Sequence, residues 1–338
     1  MTKACYVGVA GKARKVKKIY TGVADKARKV KKAYVGVGGK ARLFYSAEQK
    51  LGYYGTVTAL SQARNGLAAT TVGSYGLFGG GIISFKCSAV VDAYSSSLVR
   101  STPTALSQAR SSCGATTVGG YALFGGGIPG SGSSAVVDAY SSSLVRSTPT
   151  ALSQARSSYS ATTVGGYALF GGGSPGSGYS AVVDAYSSSL VRSTPTALSQ
   201  ARSSCGATTV GGYALFGGGI IDMTVSGYDI INTNTAIVDA YSSSLVRSTP
   251  TALSQARSYI GATSVGVYAL FGGGYGKGSS EGCSTVDAYS SSLVRSTPTA
   301  LSQARGYIEA TSVGVYALFG GGYAPSGRSA TVDAYNLV

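Results

Sequence analysis

A repeated block of about 46 residues is the feature that most constrains how this chain folds. The triplet Gly-Gly-Gly ends a strand-like run at six places, namely residues 79–81, 125–127, 171–173, 217–219, 272–274 and 320–322. The tetrapeptide Val-Asp-Ala-Tyr follows each triplet, and the fourth copy is longer because residues 220–236 form an enlarged loop. A repeat of this length predicts one supersecondary unit per copy, packed against its neighbours in an array.

Each copy has the pattern of four short strands. In the second copy the predicted strands are 114–118, 121–124, 135–140 and 144–148, separated by glycine, serine or proline. Small and β-branched residues bounded by turn formers favour strands over helices. Four strands per unit, with a glycine cluster after the second, predict the blade of a β-propeller. We therefore expect an all-β fold with six blades in a ring.

The two ends of the array predict how the ring closes. The sixth copy stops soon after its Val-Asp-Ala-Tyr and lacks a fourth strand. Residues 55–63 (GTVTALSQA) match the RSTPTALSQA that forms the fourth strand and its exit in other copies. A strand near residues 55–61 is expected to complete the sixth blade, which would also remove exposed sheet edges.

The repeat resembles the kelch family of propeller repeats. A hydrophobic strand, a glycine cluster, V-x-x-Y and L-x-x-A-R follow one another throughout residues 51–338. The resemblance implies a six-bladed kelch-like β-propeller. The tryptophan of kelch fourth strands is absent, which implies thinner packing between blades, and the residues near its place are Leu98, Leu144, Leu190, Leu245 and Leu293. The sequence motif TALSQAR…VGxYALFGGG…VDAY also resembles that of kelch-like proteins of phages and prophages of Gram-positive gut bacteria, which implies a tail-associated virion protein.

Residues 1–50 form a separate, strongly basic region. They contain 14 Lys and Arg and 2 acidic residues, a net charge of +12, whereas residues 51–338 carry +4. Three similar segments begin at Tyr6, Tyr20 and Tyr34. Their strand–turn–strand pattern favours small β-hairpins, while their apolar residues also fall on one face of a helix, so both structures stay open. The YxGVxGKARKVKKAY wording resembles repeats near tail-associated proteins of the same phages, which implies that residues 1–50 attach to phage tail or baseplate proteins.

Composition excludes the commonest catalytic and metal sites. The chain has no histidine, so it contains no Ser-His-Asp or Cys-His relay and no imidazole metal ligand. Its five cysteines lie far apart and form no Cys-x-x-Cys pair, which indicates neither a disulfide framework nor a thiolate cluster. No secretory signal or membrane-spanning segment is visible in the sequence. Composition therefore favours a non-enzymatic protein without cofactor or metal, and the resemblance to phage tail-associated proteins implies synthesis in the bacterial cytoplasm without a signal peptide and a location in the virion.

Two segments differ from copy to copy, one after the glycine triplet and one after Ser-Gln-Ala-Arg. In a four-stranded antiparallel blade both segments open on the same face of the disc, here named the loop face. Rigid scaffolds carry recognition on loops, so variation predicts a ligand-binding face, with neutral drift of the loops as the alternative. The candidate ligand-binding residues are Ile83, Phe85, Lys86, Tyr179, Ile221, Met223, Tyr228, Asp229, Tyr259, Tyr275, Lys277, Tyr307, Tyr323 and Arg328.

One acid and one base recur together in all six copies. Because a buried charge persists only when it is paired, we expect a structural Asp–Arg staple in every blade rather than a ring of free carboxylates. The predicted pairs come from Asp92, Asp138, Asp184, Asp239, Asp287 and Asp333 and from Arg64, Arg110, Arg156, Arg202, Arg257 and Arg305.

Two functions fit these observations. In the first, the propeller presents its loop face to a host-surface glycan, wall polymer or protein, while residues 1–50 attach it to the virion. In the second, the propeller is an adaptor or scaffold for a protein partner, and the basic segment contacts nucleic acid. A homo-oligomer is compatible with either.

Overall fold

The computed structural model describes residues 56–226, 229–276 and 282–337, together with six strands between residues 6 and 46, of which the backbone pairing is described. The chain divides into two compact units, Met1–Thr56 and Val57–Val338. The change in charge predicted a boundary near residue 50.

The N-terminal unit contains three antiparallel β-hairpins. Their strands are β1 (Tyr6–Val9), β2 (Lys12–Lys15), β3 (Tyr20–Val23), β4 (Lys26–Lys29), β5 (Lys32–Val37) and β6 (Lys40–Ser46). Tyr6 pairs with Lys15 in the first hairpin, and Tyr20 pairs with Lys29 in the second. Each repeated segment therefore contains two paired antiparallel strands, as the hairpin interpretation predicted.

The larger unit is a six-bladed β-propeller, which confirms the fold class predicted from the repeat. Blade 1 contains β7 (Ala68–Val72), β8 (Tyr75–Gly79), β9 (Ile82–Ile83), β10 (Lys86–Cys87), β11 (Val91–Ser95) and β12 (Arg100–Ser101). Blade 2 contains β13 (Gly114–Val118), β14 (Tyr121–Gly125), β15 (Val137–Ser141) and β16 (Arg146–Ser147). Blade 3 contains β17 (Ser160–Val164), β18 (Tyr167–Gly171), β19 (Val183–Ser187) and β20 (Arg192–Ser193).

The remaining three blades follow the same plan, and blades 4 and 6 each contain an added hairpin. Blade 4 contains β21 (Gly206–Val210), β22 (Tyr213–Gly217), β23 (Ile220–Ser226), β24 (Asp229–Asn234), β25 (Val238–Ser242) and β26 (Arg247–Ser248). Blade 5 contains β27 (Gly261–Val265), β28 (Tyr268–Gly272), β29 (Val286–Ser290) and β30 (Arg295–Ser296). Blade 6 contains β31 (Glu309–Val313), β32 (Tyr316–Gly320), β33 (Tyr323–Ala324), β34 (Gly327–Arg328) and β35 (Val332–Asn336).

The fourth strand of each complete blade is shorter than the sequence predicted. In blade 2 it covers only Arg146–Ser147, although strand character was expected over residues 144–148. Leu144 has a φ of 61°, in the left-handed region, and its N–H donates a hydrogen bond of 2.9 Å to the carbonyl of Ser141. Leu144 therefore completes the turn instead of starting the strand.

Each blade packs on the next through two complementary apolar faces. The trailing face of a blade carries Val, Leu, Val and Ala, and the leading face of the following blade carries Ala, Phe and Tyr. Between blades 3 and 4 the contacting residues are Val164, Leu169, Val183 and Ala185 on one side and Ala214, Phe216 and Tyr241 on the other. The trailing-face residues of blades 1 to 5 are between 0% and 6% exposed. This burial, worth roughly 25 cal/mol per Å² of apolar surface, stabilises the array.

The glycine triplets allow neighbouring blades to approach closely. A Cβ atom at Gly171 would lie 2.8 Å from the ring of Phe216 in the next blade, so no larger residue fits there without movement. Two residues later, the N–H of Gly173 donates a 2.8 Å hydrogen bond to the carbonyl of Arg202 in the next blade. Both contacts recur between every consecutive pair from blade 1 to blade 6.

Among the described residues, this interface is not formed between blade 6 and blade 1. The side chain of Val332 on blade 6 is 60% exposed, whereas the equivalent Val183 is 1% exposed. A Cβ at Gly320 would meet only Val332 of its own blade within 4 Å. Blade 6 has three strands in its sheet, and residues 56–61 form no strand. The predicted closing strand near residues 55–61 also includes a residue outside the described ones, so its pairing stays a prediction.

Candidate ligand-binding face

The two variable segments of each blade lie side by side. An isolated β-bridge joins the residue after Ser-Gln-Ala-Arg to the residue after the glycine triplet in all six blades. The bridges are Asn65–Ile82, Ser111–Ile128, Ser157–Ser174, Ser203–Ile220, Ser258–Tyr275 and Gly306–Tyr323. The structure therefore brings both variable segments together at one end of every blade, where the sequence placed the loop face.

The residue after each bridge adopts an uncommon backbone conformation. Its φ lies between 52° and 63° in all six blades, at Gly66, Ser112, Ser158, Ser204, Tyr259 and Tyr307. Five of these six residues, together with the inner strands of all six blades, line a central cavity of about 790 Å³. Glycine tolerates this conformation without cost, but it is strained for a residue as large as tyrosine.

Four tyrosines of blades 5 and 6 form one contiguous cluster at this end of the propeller. The ring centroids of Tyr259 and Tyr307 lie 4.1 Å apart with an interplanar angle of 34°. Tyr275 contacts Tyr307 edge-on at 5.6 Å, and Tyr323 contacts Tyr307 edge-on at 6.1 Å. Tyr307 is 52% exposed and Tyr323 is 43% exposed. Stacked and edge-to-face rings of this kind form a rigid, partly exposed aromatic platform, here named the tyrosine platform.

A cation borders the tyrosine platform on blade 6. The Nε of Arg328 donates a 3.1 Å hydrogen bond to the hydroxyl of Tyr323, and its guanidinium lies 5.7 Å from the centroid of that ring. These two contacts hold the positive charge at the edge of the platform.

Burial perturbs the ionisable groups of the platform and the cavity. It raises the pKa of Tyr307, and a side-chain hydrogen bond with Tyr259 raises it further. Burial also raises the pKa of Tyr275 above its ordinary 10.0 and the pKa of Glu309, which lines the cavity, above its ordinary 4.5. The raised pKa values keep the phenols of Tyr275 and Tyr307 neutral at physiological pH, where their hydroxyls donate or accept hydrogen bonds.

Tyr179 of blade 3 is half-buried, outside the stacked cluster. Burial raises its pKa, and the proximity of Tyr259 and Asp222 contributes to the same direction. The side chain therefore lies near both the tyrosine platform and the blade 4 hairpin.

The other predicted ligand-binding residues lie on two hairpins. In blade 1, Phe85 is fully exposed with a φ of 67° at the tip of β9–β10, next to the half-buried Ile83 and the exposed Lys86. In blade 4, Ile221 is half-buried and Met223 is 52% exposed, both on β23. Asp229 begins β24, and its side chain lies outside the described part, as do Tyr228 and Lys277. Among the described candidates, the ring contacts join only Tyr259, Tyr275, Tyr307 and Tyr323.

Sequence reasoning missed two features of this end of the propeller. The first is the left-handed conformation at the position of Tyr259 and Tyr307, for which Gly66 in the first copy was the available signal. The second is Glu309, a carboxylate that lines the cavity at a position occupied by Gly261 in blade 5.

The structure places every predicted Arg of the staple beside its Asp. The shortest N–O distances are 2.8 Å for Arg64–Asp92, 2.7 Å for Arg110–Asp138 and Arg202–Asp239, and 2.5 Å for Arg156–Asp184, Arg257–Asp287 and Arg305–Asp333. The arginine side chains have no exposed surface, and the same holds for all the aspartates except Asp333, which is 15% exposed.

The staples of blades 1 to 5 contain two groups that the sequence prediction omitted, and the staple of blade 6 contains one of them, a backbone N–H donated by Ser302. In blade 3, Arg192 of the fourth strand lies 3.0 Å from the second carboxylate oxygen of Asp184, and the backbone N–H of Ser153 donates to that oxygen at 3.0 Å. The second arginine recurs in blades 1 to 5 as Arg100, Arg146, Arg192, Arg247 and Arg295. Its recurrence eight residues after each Asp was the available signal, since it places both on neighbouring strands of one hairpin.

The staple perturbs the titration of the aspartate in blade 1. Burial acts to raise the pKa of Asp92, but hydrogen bonds from Ser61 and Arg64 outweigh it and hold the pKa below its usual 3.8. In the described part of the chain, no three or more cysteine or carboxylate side chains cluster as metal ligands, and no helix is long and apolar enough to cross a membrane.

Comparisons with known proteins define the class of this protein by its fold. No family model matches the chain, and no curated protein sequence matches it. Solved structures with a similar fold include that of YjhT, which is 11% identical over 83% of this chain and 97% of its own, with a TM-score of 0.63. At this identity the likeness concerns the six-bladed propeller fold alone.

Proposed function

We propose that this chain is a non-enzymatic binding protein of a phage tail whose propeller presents its loop face to a glycan or wall polymer on the host surface. Residues 1–50 would attach it to tail or baseplate proteins, which gives it a place in the virion. The observation that carries the proposal is the tyrosine platform, formed where the variable segments of blades 5 and 6 surround the central cavity.

The chemistry of the platform suits a sugar chain. A tyrosine ring offers a flat apolar surface to the C–H face of a sugar, while its hydroxyl provides a hydrogen bond. The platform is held rigid by contacts between its own rings, so little conformational entropy would be lost on binding. Exposure of 52% at Tyr307 leaves the ring accessible to a partner.

The amino-acid sequences of the repeats support the assignment to a phage tail. Both the propeller repeat and the YxGVxGKARKVKKAY segments resemble tail-associated proteins of phages of Gram-positive gut bacteria. Several loop sites on one virion would add their weak contacts together, so each site needs only modest affinity.

The second candidate function is an adaptor propeller whose basic N-terminal unit contacts nucleic acid. The observation that favours it is the net charge of +12 on residues 1–50. Lys and Arg bound to phosphates release counterions, so binding by this unit would weaken steeply as salt increases.

The first function is tested with the full-length protein, fluorescently labelled, on intact cells of a Gram-positive gut bacterium and on their isolated wall polysaccharide. Tyr307→Ala is expected to weaken saturable binding about three- to tenfold, corresponding to roughly 0.5–1.5 kcal/mol for a lost aromatic contact. The matched control is Tyr316→Ala, because Tyr316 is 46% exposed at the opposite end of the same blade.

Three results are informative. Binding that falls for Tyr307→Ala and not for Tyr316→Ala supports the loop face. Equal binding by both variants contradicts a role for the platform. Binding to random DNA with a steep salt dependence, without binding to cells or polysaccharide, would favour the adaptor function.

A further inference from the structure

The residue that follows the isolated β-bridge of each blade differs between the two sides of the central cavity. It is a serine in blades 2 to 4 and a tyrosine in blades 5 and 6, and all five residues line the cavity, namely Ser112, Ser158, Ser204, Tyr259 and Tyr307. In a ring of six blades, blade 5 lies opposite blade 2 and blade 6 lies opposite blade 3. The cavity therefore has hydroxyl groups on one side and aromatic rings on the other.

The serine hydroxyls are accessible to a ligand. The side chains of Ser112 and Ser158 are exposed. The backbone holds this position, since the N–H of Ser112 donates a 3.0 Å hydrogen bond to the carbonyl of Gly66, and the N–H of Ser204 donates one of 3.0 Å to the carbonyl of Ser158. Gly66 has the same left-handed conformation without any side chain, so the local fold does not require the hydroxyls.

The cavity is confined to the loop end of the propeller axis. Only the first two residues of each inner strand line it, and the second is alanine in every blade: Ala69, Ala115, Ala161, Ala207, Ala262 and Ala310. Directly beyond these alanines, threonine hydroxyls join neighbouring inner strands, with 2.9 Å between the Oγ1 atoms of Thr116 and Thr163 and between those of Thr162 and Thr209. A ligand that enters from the loop end therefore stops at this level, which suits the end of a chain better than its middle.

The volume and charge of the cavity limit what it can bind. About 790 Å³ lies within the range of roughly 300–1,000 Å³ that is typical of small-molecule sites. The described lining residues include neither lysine nor arginine, and their one carboxylate belongs to Glu309. Arg328 is held on Tyr323, which is not a lining residue. An anionic ligand would lose water here without gaining a cationic partner, so the cavity favours an uncharged one.

We propose that the central cavity binds an uncharged sugar residue at the end of a glycan chain. The ring would stack on Tyr307, and its hydroxyl groups would form hydrogen bonds with Ser112 and Ser158 on the opposite side. A sugar ring has an apolar C–H face and a polar edge, and the two sides of the cavity match these surfaces. This inference rests on the proposed function and assigns a substrate class to its loop face.

The proposal is tested with the full-length protein by saturation-transfer NMR of free sugars. The uncharged probes are glucose, galactose, N-acetylglucosamine and N-acetylgalactosamine, and the charged probe is glucuronic acid. At least one uncharged sugar is expected to bind saturably and at least tenfold more tightly than glucuronic acid, because the carboxylate finds no cation in the cavity. Absence of binding by all four uncharged sugars, or equal binding by glucuronic acid, would overturn the proposal.

A serine variant tests the hydroxyl side of the cavity. Ser158→Gly removes the hydroxyl at a position where blade 1 has glycine, so the variant should fold, and circular dichroism checks this. It is expected to weaken binding of the sugar about two- to tenfold, as for one lost hydrogen bond. The matched control is Ser143→Gly, because Ser143 is exposed on the turn between β15 and β16, at the opposite end of the propeller. Equal affinities of the two variants would exclude the predicted contact.

Fragments of isolated wall polysaccharide test recognition of the chain end. At equal mass, shorter fragments carry more ends, so they are expected to inhibit binding of the labelled protein to cells more strongly than long fragments do. Stronger inhibition by the long fragments would contradict chain-end binding. Cell binding without binding of any uncharged sugar would reject this inference and leave the proposed function intact, whereas sugar binding without cell binding would reject the proposed function.

Discussion

Replacing the buried aspartate of one staple by asparagine should destabilise the propeller strongly. In blade 3, Asp184 has no exposed side-chain surface, lies 2.5 Å from Arg156 and 3.0 Å from Arg192, and accepts the N–H of Ser153 at 3.0 Å. Asp184→Asn keeps the size of the side chain and one acceptor oxygen but removes the negative charge. Arg156, which has no exposed side-chain surface, then keeps a buried charge without its carboxylate.

The magnitude follows from that unpaired charge. Removing one partner of a buried ion pair costs about 3–5 kcal/mol, because the remaining ion stays desolvated. The matched variant is Asp333→Asn in blade 6. Asp333 is 15% exposed and pairs with Arg305 alone, since among the described residues blade 6 has no fourth-strand arginine. With one ion pair lost instead of two and some access to water, its cost should be about 1.5–3 kcal/mol.

The assay is urea unfolding followed by circular dichroism, with Asp222→Asn on the exposed blade 4 hairpin as the surface control. The control should change the free energy of unfolding by less than about 0.5 kcal/mol. The double variant Asp184→Leu/Arg156→Met, which removes both charges, should recover part of the loss. If Asp184→Asn and Asp222→Asn unfold at the same urea concentration, the staple does not stabilise the blade and the reasoning is refuted.

Three further predictions follow from the same contacts. Gly171→Ala should lower the free energy of unfolding by about 1–3 kcal/mol because its Cβ would meet Phe216. Gly320→Ala should be neutral or slightly stabilising because its Cβ would meet nothing closer than 3.6 Å. Urea midpoints of the two variants test this, and equal losses of stability would show that blade 6 is covered like the others. The lowered pKa of Asp92 stabilises the fold at pH values above the unfolded value of 3.8, and this contribution is lost as the pH falls through the lower folded pKa. Urea midpoints measured against pH should therefore fall in that acid range, and Asp92→Asn should remove part of the fall. A pH dependence that Asp92→Asn leaves unchanged would argue against the staple as its source. The raised pKa values of Tyr275 and Tyr307 predict that part of the phenolate absorbance appears only above pH 10. Tyr307→Phe should remove some of the absorbance that appears above pH 10. Titration of every tyrosine near pH 10 would contradict the burial of the platform.

The repeated part of the fold could be predicted from the sequence because its causes are local and recur six times. The predicted strand 114–118 agrees with β13, and the predicted 121–124 falls short of β14 by the single residue Gly125. Alternation of small and β-branched residues, with glycine at each turn, determines these elements without reference to distant contacts. The Asp–Arg pairing was also predictable, because a charge that recurs in a mostly apolar repeat is buried, and a buried charge is stable only when it is paired.

The sequence identified the four tyrosines of the platform as separate candidates but did not predict that their rings contact one another. Its contacts depend on β-bridges such as Ser258–Tyr275, which bring two segments of one blade together, and on the position of blade 5 relative to blade 6. The uncovered face of blade 6 was not predictable for a related reason. Val332 and Val183 each begin a Val-Asp-Ala-Tyr tetrapeptide, and among the described residues they differ in whether a neighbouring blade covers them.

Tyr259 and Tyr307 occupy equivalent positions in blades 5 and 6, directly after the β-bridge that joins the two variable segments of each blade. The backbone there has a φ of 52° in both blades, and Gly66 satisfies the same position in blade 1 without strain. A bulky side chain in this conformation costs on the order of 1 kcal/mol relative to glycine and leaves the Tyr307 ring 52% exposed. No interblade contact of the core requires a tyrosine here, because blades 2 to 4 use serine in the same conformation. What the two tyrosines do form is the 4.1 Å stacked pair that lines the cavity, and an aromatic pair of this kind contributes about 0.5–1.5 kcal/mol, which is comparable to the cost of the backbone conformation.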